Sequence, residues 1–446
     1  MSEHNYDPLV QTGVTPSLDT PQTYWHSTHQ CAQQPSLSEQ HTCDYLVIGG
    51  GYTGLSAAMA LAEYGKDVTV IDSQQPGFGC AGRNAGFVLS GSGRLSLSAI
   101  EDKWDKTVAQ GMRNEFDAAV SLLKDRIDRY DMQVDYVTGP YVKLAHSAKH
   151  ARLLLKSATT AQDSYGVPFI PLSHGTVASR FGVQGMFGGI QVEGACIHPL
   201  KLVDEYTKVA TSTGANLFYN TPALSITEPK QNRDSFKVAT PKGDIYAQHI
   251  LIASNAYTPI GFHNSVNERQ FPVQSSIFVT APLTEEQIAR TKLSSPVSFM
   301  DTRMMKYYYR VLPDGRLLFG GRGAVAGKNA NSNSEKQRLY KAMLKSFPAL
   351  ENIDVEYFWS GWVSVSLDSL PRIFTQNDNR IGYAMGYCGS GVSFAAYAGN
   401  QLAKRMLDQP VNDQLPIYKT PLPKYPFPQL RRTALRALYQ WARVFE

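Results

Sequence analysis

Apolar and polar positions alternate in three rhythms along this chain. Short apolar runs of the kind a strand buried on both faces requires occur at residues 45–48, 68–71, 249–254 and 381–385. A period-two rhythm runs through residues 271–321, most clearly over 275–280 and 307–312, with Pro313-Asp314-Gly315 as a turn between two runs. It returns over 355–365, which carries Trp359 and Trp362. Residues 217–226 and 236–240 also read as strands, and 135–144 reads as a strand pair about a Gly139-Pro140 turn. A three-to-four rhythm marks helices. Residues 97–130 form one or two, with Trp104, Val108, Met112, Phe116, Val120 and Leu123 as core. Others cover 147–165, 200–214 after Pro199, 335–347 before Pro348, and 392–407. The first 40 residues are polar and proline-bearing and read as an extended arm, which Tyr24 and Trp25 either dock on the main body or merely punctuate as a disordered tail.

One unit organises the rest. The apolar run ending at Ile48 is followed by Gly49, Gly51 and Gly54, an Ala/Leu-rich helix over 55–63, a second apolar run, and Asp72. Gly49 permits a tight turn, Gly51 admits a pyrophosphate close to backbone, and Gly54 lets helix and strand pack closely. The helix N-terminus offers free N–H groups to the phosphates. Asp72 falls about 20 residues after the first glycine, where a carboxylate holding a ribose diol belongs. The unit predicts an adenine dinucleotide site without deciding between FAD and NAD. Two further glycine-rich turns, 77–86 with Arg83 and 386–391 before a helix, suit close approach to a phosphate or a flat ring.

Composition narrows the class. With 446 residues, 43% hydrophobic and 18% charged, the chain reads as a soluble protein with two or three domain-sized cores. A net charge of +5 with no basic groove pattern argues against nucleic acid. Cys31, Cys43, Cys80, Cys196 and Cys388 are scattered, odd in number and form no CxxC pair, which argues against a disulfide framework or zinc site and favours a reducing, cytoplasmic setting. Residues 1–5 are polar, unlike a leader peptide, and no apolar run is long enough to span a membrane. After Pro421, Pro423, Pro426 and Pro428, residues 430–445 are amphipathic. Leu430, Ala434, Leu438, Trp441 and Phe445 share a face, among Arg431, Arg432, Arg436 and Arg443. That face is expected to dock on its own subunit, with an anionic membrane surface as the alternative.

The run from Gly49 to Asp72, followed by Gly77-Phe-Gly79-Cys80-Ala81-Gly82-Arg83-Asn84-Ala85-Gly86, resembles the D-amino-acid-oxidase-like FAD-dependent amine oxidoreductases. Within that family it is most similar to the bacterial gamma-glutamylputrescine oxidoreductases. Ile197-His198-Pro199-Leu200, the run 250–257, Tyr308-Tyr309-Arg310, the run 316–321 and the glycine turn 386–392 extend the resemblance over about residues 41–428. It implies an α/β fold: a Rossmann-like FAD-binding domain of the glutathione-reductase type, interleaved with an α+β substrate domain on an antiparallel sheet. The expected order begins with an arm (1–40), a first FAD-binding segment (41–95) and a first substrate segment (96–160). A second, mainly FAD-binding segment (161–258), a second substrate segment (259–354) and a third FAD-binding segment (355–410) follow. A linker with the tail helix (411–446) ends the chain.

The resemblance implies non-covalent FAD held by Gly49, Gly51, Tyr52, Thr53, Gly54, Asp72 and Ser73. The loop Gly79, Cys80, Ala81, Gly82, Arg83, Asn84, Ala85 and Gly86 joins them, with Leu224, Ser254, Asn255 and Ala256. The last group is Gly386, Gly389, Ser390, Gly391 and Val392. Residues 366–371 are expected to face the flavin, and the helix start near 391 to stabilise negative charge on its reduced ring. Ala81 stands where the narrower group usually has Ser, and Ser390 where it has His, which bears on substrate identity. The implied reaction passes a hydride from the carbon beside an amine nitrogen to flavin N5, leaving an imine for hydrolysis. The amine must be neutral, so the pocket must disfavour ammonium by burial or nearby positive charge.

Arg310 is the first candidate to bind a substrate carboxylate, because guanidinium offers a bidentate fork, with Lys306 and Arg322 behind it. Tyr308 and Tyr309 are candidate walls, only one of which can point inward from a strand. His198 is a candidate base or a cap, and Asp368 an amine ligand or a turn cap. Three functions follow: an amine oxidase using oxygen on gamma-glutamylputrescine or a related amine, a dehydrogenase feeding a membrane quinone, and a flavin-binding protein without activity. Oligomeric state stays open, and no metal is expected.

Overall fold

The structure, a computed structural model, describes residues 6–16, 18–20, 22–231 and 233–445, with the side chains of Arg443 and Phe445 excepted. Residues 1–5, Ser17, Pro21, Asn232 and Glu446 lie outside the described residues. The first sheet is built where the uninterrupted apolar runs fall. His41–Ile48 lies between Val68–Ile71 and Gly243–Ile252, all parallel. Asn216–Phe218 and Ile381–Met385 extend it in parallel, and Arg372–Gln376 closes one edge antiparallel. Leu46, Val47, Val70, Ile71, Leu251 and Ile252 are buried, as strands covered on both faces must be.

Helix Tyr52–Glu63 leaves the first strand and packs against Gly391–Met406. They approach so closely that a Cβ on Gly399 would lie 2.0 Å from the Thr53 carbonyl oxygen.

The second sheet runs in the order Val355–Val365, Phe271–Pro282, Arg316–Arg322, Tyr307–Val311, Ser298–Asp301, Val137–Leu144, Gly189–Cys196 and Phe87–Val88. Its strands are antiparallel except where Ser298–Asp301 meets Val137–Leu144. Strand alternation divides it cleanly. Phe278, Phe299, Tyr309 and Phe319 face a closed core with Phe347. Tyr141, Lys143, Met300, Tyr308, Arg322 and Ser275 face the opposite way, over a cavity.

Several expectations are corrected. Residues 135–144 are not a hairpin, because one continuous strand passes through Gly139-Pro140 and pairs on both sides. A Cβ at Gly139 would sit 2.6 Å from the Pro296 carbonyl oxygen, so that glycine serves close approach rather than a turn. The β-rich stretch 271–321 contains a helix, Glu285–Thr291, started by a Thr284–Gln287 capping box. Val355–Val365 lies in the second sheet, past the boundary expected at residue 355. The arm is not simply extended: it folds a short helix, Tyr24–Thr28. Tyr24 and Trp25 are buried there, and Trp25 donates its indole N–H to the Asn84 carbonyl at 2.9 Å.

The tail folds as the helix Arg431–Phe445 and docks on its own chain, but not by the expected face. Leu435, Tyr439 and Ala442 are buried with Val273, Met305, Val365 and Cys388. Leu430, Ala434, Leu438 and Trp441 stay exposed, and the Phe445 side chain lies outside the described residues. Among the described residues, no helix is long and apolar enough to cross a membrane, and all five cysteines are free thiols.

Candidate active site

A cavity of about 800 Å³ runs from the first sheet to the open face of the second. At its first-sheet end, Gly49 adopts φ +118°, where a Cβ would lie 2.7 Å from the Ala253 carbonyl carbon. Only glycine fits this crossing. Helix Tyr52–Glu63 starts at Gly51 with no side-chain cap, and helix Gly391–Met406 starts at Ser390 with none either. Elsewhere Ser96, Asp105, Ser147, Ser173 and Ser332 cap their helices with side-chain oxygens. Both uncapped starts open on the same cavity, which leaves their N–H groups for a ligand.

Asp72 closes the second strand. Its carboxylate accepts from the Gly50 N–H at 2.7 Å and the Gln74 N–H at 3.0 Å. Burial pushes this carboxyl up, and those amides pull it back toward the ionised form.

The glycine loop at 77–86 braces itself. Arg83 donates to the carbonyls of Phe78 and Ser360, so its guanidinium ties the loop to itself and to the strand Val355–Val365. Asn84 donates to the Cys80 and Ala81 carbonyls and accepts from the Gly86 N–H at 2.8 Å.

Of the residues expected at the cofactor, Gly49, Gly51, Tyr52, Thr53, Asp72, Ser73, Gly79, Cys80, Ala81, Arg83, Asn84 and Ala85 line the cavity. Ser254, Asn255, Gly389, Ser390, Gly391 and Val392 line it too. Gly54, Gly82 and Gly86 sit behind the lining. A Cβ on them would meet the carbonyl oxygens of Gly49 at 1.8 Å, Gly77 at 2.0 Å and Ile197 at 2.2 Å. Gly386 and Ala256 are likewise support: the Gly386 N–H donates to Asn255, and Ala256 is buried. Leu224 is 53% exposed and outside the cavity. The expected flavin-facing segment 366–371 is also outside it, while Val363 and Ser364 of the preceding strand line it.

The substrate-side candidates separate sharply. Tyr308 lines the cavity, with its hydroxyl 2.7 Å from Ser275 Oγ. Tyr309 has the opposite parity and stacks on Phe299 in the closed core. Arg310 shares the Tyr308 face but is sealed from the cavity. Its Nη2 donates to the Ile197 carbonyl at 3.0 Å, and Trp25 of the arm lies 5.5 Å from its Cζ. Asp368 is not an amine ligand, because it lies outside the cavity and pairs with Arg372.

His198 is a cap. Its Nδ1 accepts from the Lys201 N–H at 3.2 Å, so Nε2 carries the proton and donates to Thr28 Oγ1 at 3.0 Å. Burial pulls its pKa down to about 4, which keeps it neutral. His198→Ala is expected to cost about 1 kcal/mol of stability, the usual loss of a cap. Thermal unfolding should register it, while the rate of flavin reduction stays unchanged.

Beside Lys124 on the helix Lys106–Arg129, and Arg83 and Arg113, which are held by backbone carbonyls and Asp117, four cations line the cavity: Arg94, Lys143, Lys306 and Arg322. Lys306 and Arg322 were secondary candidates, and Arg94 and Lys143 carried no sequence signal. Among the described residues, none of the four makes an ion pair or a side-chain hydrogen bond. The acid that acts on Lys306, Asp301, is buried on the other face of the sheet and bound to Arg303. Burial, then Lys143, Arg322 and Arg94, bring the Lys306 pKa down to about 8. Lys306 is thus a cation below about pH 8 and neutral above. Affinity for an unreactive carboxylate ligand is therefore expected to fall about tenfold as pH rises through about 8, the loss of one charge-assisted hydrogen bond. Lys306→Met should flatten that profile.

A dinucleotide-binding first sheet joined to a second sheet with a cavity between them is the architecture of a two-domain flavoprotein. The chain belongs to the FAD dependent oxidoreductase family, whose sequence pattern matches residues 44–405. It is 30% identical over 396 residues to a probable oxidoreductase, OrdL, of Haemophilus influenzae, covering 86% of this chain and 87% of that protein. It is 29% identical over 423 residues to the gamma-glutamylputrescine oxidoreductase of Escherichia coli, covering 93% and 96%. Glycine oxidase from Geobacillus kaustophilus has the same fold, with a TM-score of 0.70 at 19% identity over 85% of this chain and 99% of that one. The cofactor of the family is FAD, and the chain is a FAD-dependent amine oxidoreductase. The cavity fits that group, since two uncapped helix starts, a glycine crossing and a terminal acid lie along one wall.

Proposed function

We propose that this chain oxidises the carbon–nitrogen bond of gamma-glutamylputrescine or a related amine carrying a carboxylate, with oxygen as electron acceptor. The observation that carries this reading is the set of unpaired cations facing the cavity beside Tyr308. Gly49, Gly51, Tyr52 and Thr53 would hold the pyrophosphate, Asp72 the ribose, and Gly389 to Val392 the flavin end. Bound FAD would supply the oxidant, an acceptor for the hydride on the carbon beside nitrogen, and the electron pair would go on to oxygen, giving hydrogen peroxide.

Arg322, Lys306 and Lys143 would hold the carboxylate. The same positive field lowers the pKa of the substrate ammonium, so that it releases its proton and binds as the neutral amine. No side-chain base is needed for that loss. The substrate product is an imine, which water converts to a carbonyl compound and a free amine. The Cys388 thiol makes hydrogen bonds with Ser366 Oγ and the Gly386 carbonyl, and burial pushes it up. Both facts support a non-covalent flavin. Stoichiometric peroxide with consumption of gamma-glutamylputrescine or a carboxylate-bearing relative would support the proposal. Amine consumption without peroxide would overturn oxygen as acceptor.

The tail favours a second reading, a dehydrogenase that delivers electrons to a quinone at a membrane. Residues 421–445 hold Lys424, Arg431, Arg432, Arg436 and Arg443 and no acid, so the chain's whole excess of 43 basic over 38 acidic residues lies there. Beside them Phe427 (69%), Leu430 (57%), Leu438 (38%) and Val444 (74%) are exposed. An anionic bilayer matches both features. Sedimentation with phosphatidylglycerol vesicles, lost in salt or in Leu438→Glu, would support this docking; equal binding to phosphatidylcholine vesicles, or none to either, would refute it.

A further inference from the structure

The four cations come from four distant stretches of chain, and sheet pairing brings three of them onto one surface. Lys143 lies across from Met300, Met300 from Tyr308, and Arg322 next to the Gly321 that pairs with Tyr307. Lys306 immediately precedes that last strand, and Arg94 reaches the same cavity from the loop after the glycine-rich turn. Lys143, Lys306 and Arg322 are half-buried, and Arg94 is more exposed.

The acids that line the cavity lie elsewhere or are engaged. Asp72 binds backbone amides at the nucleotide end, and Asp117 is paired with Arg113 and Ser90. Glu193 stands on the strand Gly189–Cys196, across from Pro140. Half-buried positive charges without partners are costly, and one carboxylate can satisfy a guanidinium fork or bridge two ammonium groups but not four cations. The negative charges of the cofactor's phosphates belong to the other end, at the start of helix Tyr52–Glu63.

We infer that the substrate is a dianionic amine, one that carries two carboxylates or equivalent anionic groups on the carbon frame around its oxidisable C–N bond. The inference rests on the amine-oxidising reading above and narrows its substrate. Gamma-glutamylputrescine at neutral pH carries one carboxylate and two ammonium groups. It would bring two ammonium groups to a cavity whose one acid without a partner among the described residues is Glu193, against four cations, so the dianionic relatives fit better.

The test first separates binding from turnover. The oxidised holoenzyme is titrated with unreactive thiodiacetate and its monoanionic match, methylthioacetate, following the flavin absorbance. Thiodiacetate is expected to bind at least about tenfold more tightly, the worth of an added charge-assisted contact. Lys143→Met and Arg322→Met should each erase most of that preference while the flavin spectrum stays that of the parent. Anaerobic mixing with iminodiacetate, sarcosine and gamma-glutamylputrescine is then expected to reduce the flavin fastest with the dianion. Equal affinity for the two thioethers would overturn the dianionic substrate and leave amine oxidation standing. Tight thiodiacetate binding with no reduction by any amine would overturn the amine reading, and this substrate with it.

Discussion

Gly54→Ala is expected to give a protein that no longer retains FAD. The added methyl would lie 1.8 Å from the Gly49 carbonyl oxygen, far inside van der Waals contact with backbone that cannot rotate away. Gly49 itself is fixed from the other side, at φ +118° against Ala253. The helix must therefore lift from the strand, and its uncapped N–H groups leave the cavity wall. Overpacking of this kind costs about 3 kcal/mol, the upper end for rigid surroundings. Spread over the cofactor site, that is about a hundredfold in FAD affinity. Gly175→Ala is the control, because its nearest neighbour would be Ser173 Oγ at 3.8 Å. The ratio of flavin absorbance to protein absorbance, measured after gel filtration, decides between them.

The second large effect belongs to the cations. A double variant, Lys306→Met with Arg322→Met, is expected to keep its flavin and lose about a thousandfold in kcat/KM. Two charge-assisted hydrogen bonds to the substrate at about 2 kcal/mol each account for that loss. Both KM and kcat should move. KM rises because the anion loses its partners, and kcat at neutral pH falls because the ammonium is no longer pushed toward its neutral form. Raising the pH should restore part of kcat and none of KM. A double variant with unchanged KM would remove these residues from the substrate.

The features of this molecule that were readable in the sequence are local. The glycine crossing, the alanine-rich helix and Asp72 lie within one short stretch, and each conformation follows from its own residues. Alternation showed that Tyr308 and Tyr309 must part, but the side that carries the cavity depends on what packs against Phe299, Phe319 and Phe347. Arg310 looked like the anion site because of its fork. It is closed off by Trp25, more than half the chain away, and no pattern near residue 310 reports that. Arg94 and Lys143 were invisible for the same reason: each is one cation in an ordinary stretch until sheet pairing, for Lys143, and the loop after the glycine-rich turn, for Arg94, set it beside the others. The tail helix has apolar residues on two faces, and spacing alone selected the one that remains in solvent.

The most direct measurement is the absorbance spectrum of the purified protein before and after anaerobic addition of amines. Iminodiacetate, gamma-glutamylputrescine, sarcosine and D-alanine would serve as the panel. Oxidised-flavin bands are expected that survive gel filtration, pass into the supernatant on acid precipitation, and bleach with a carboxylate-bearing amine. A protein that takes up FAD yet is bleached by no amine, or that takes up no FAD at all, would contradict the amine-oxidising reading.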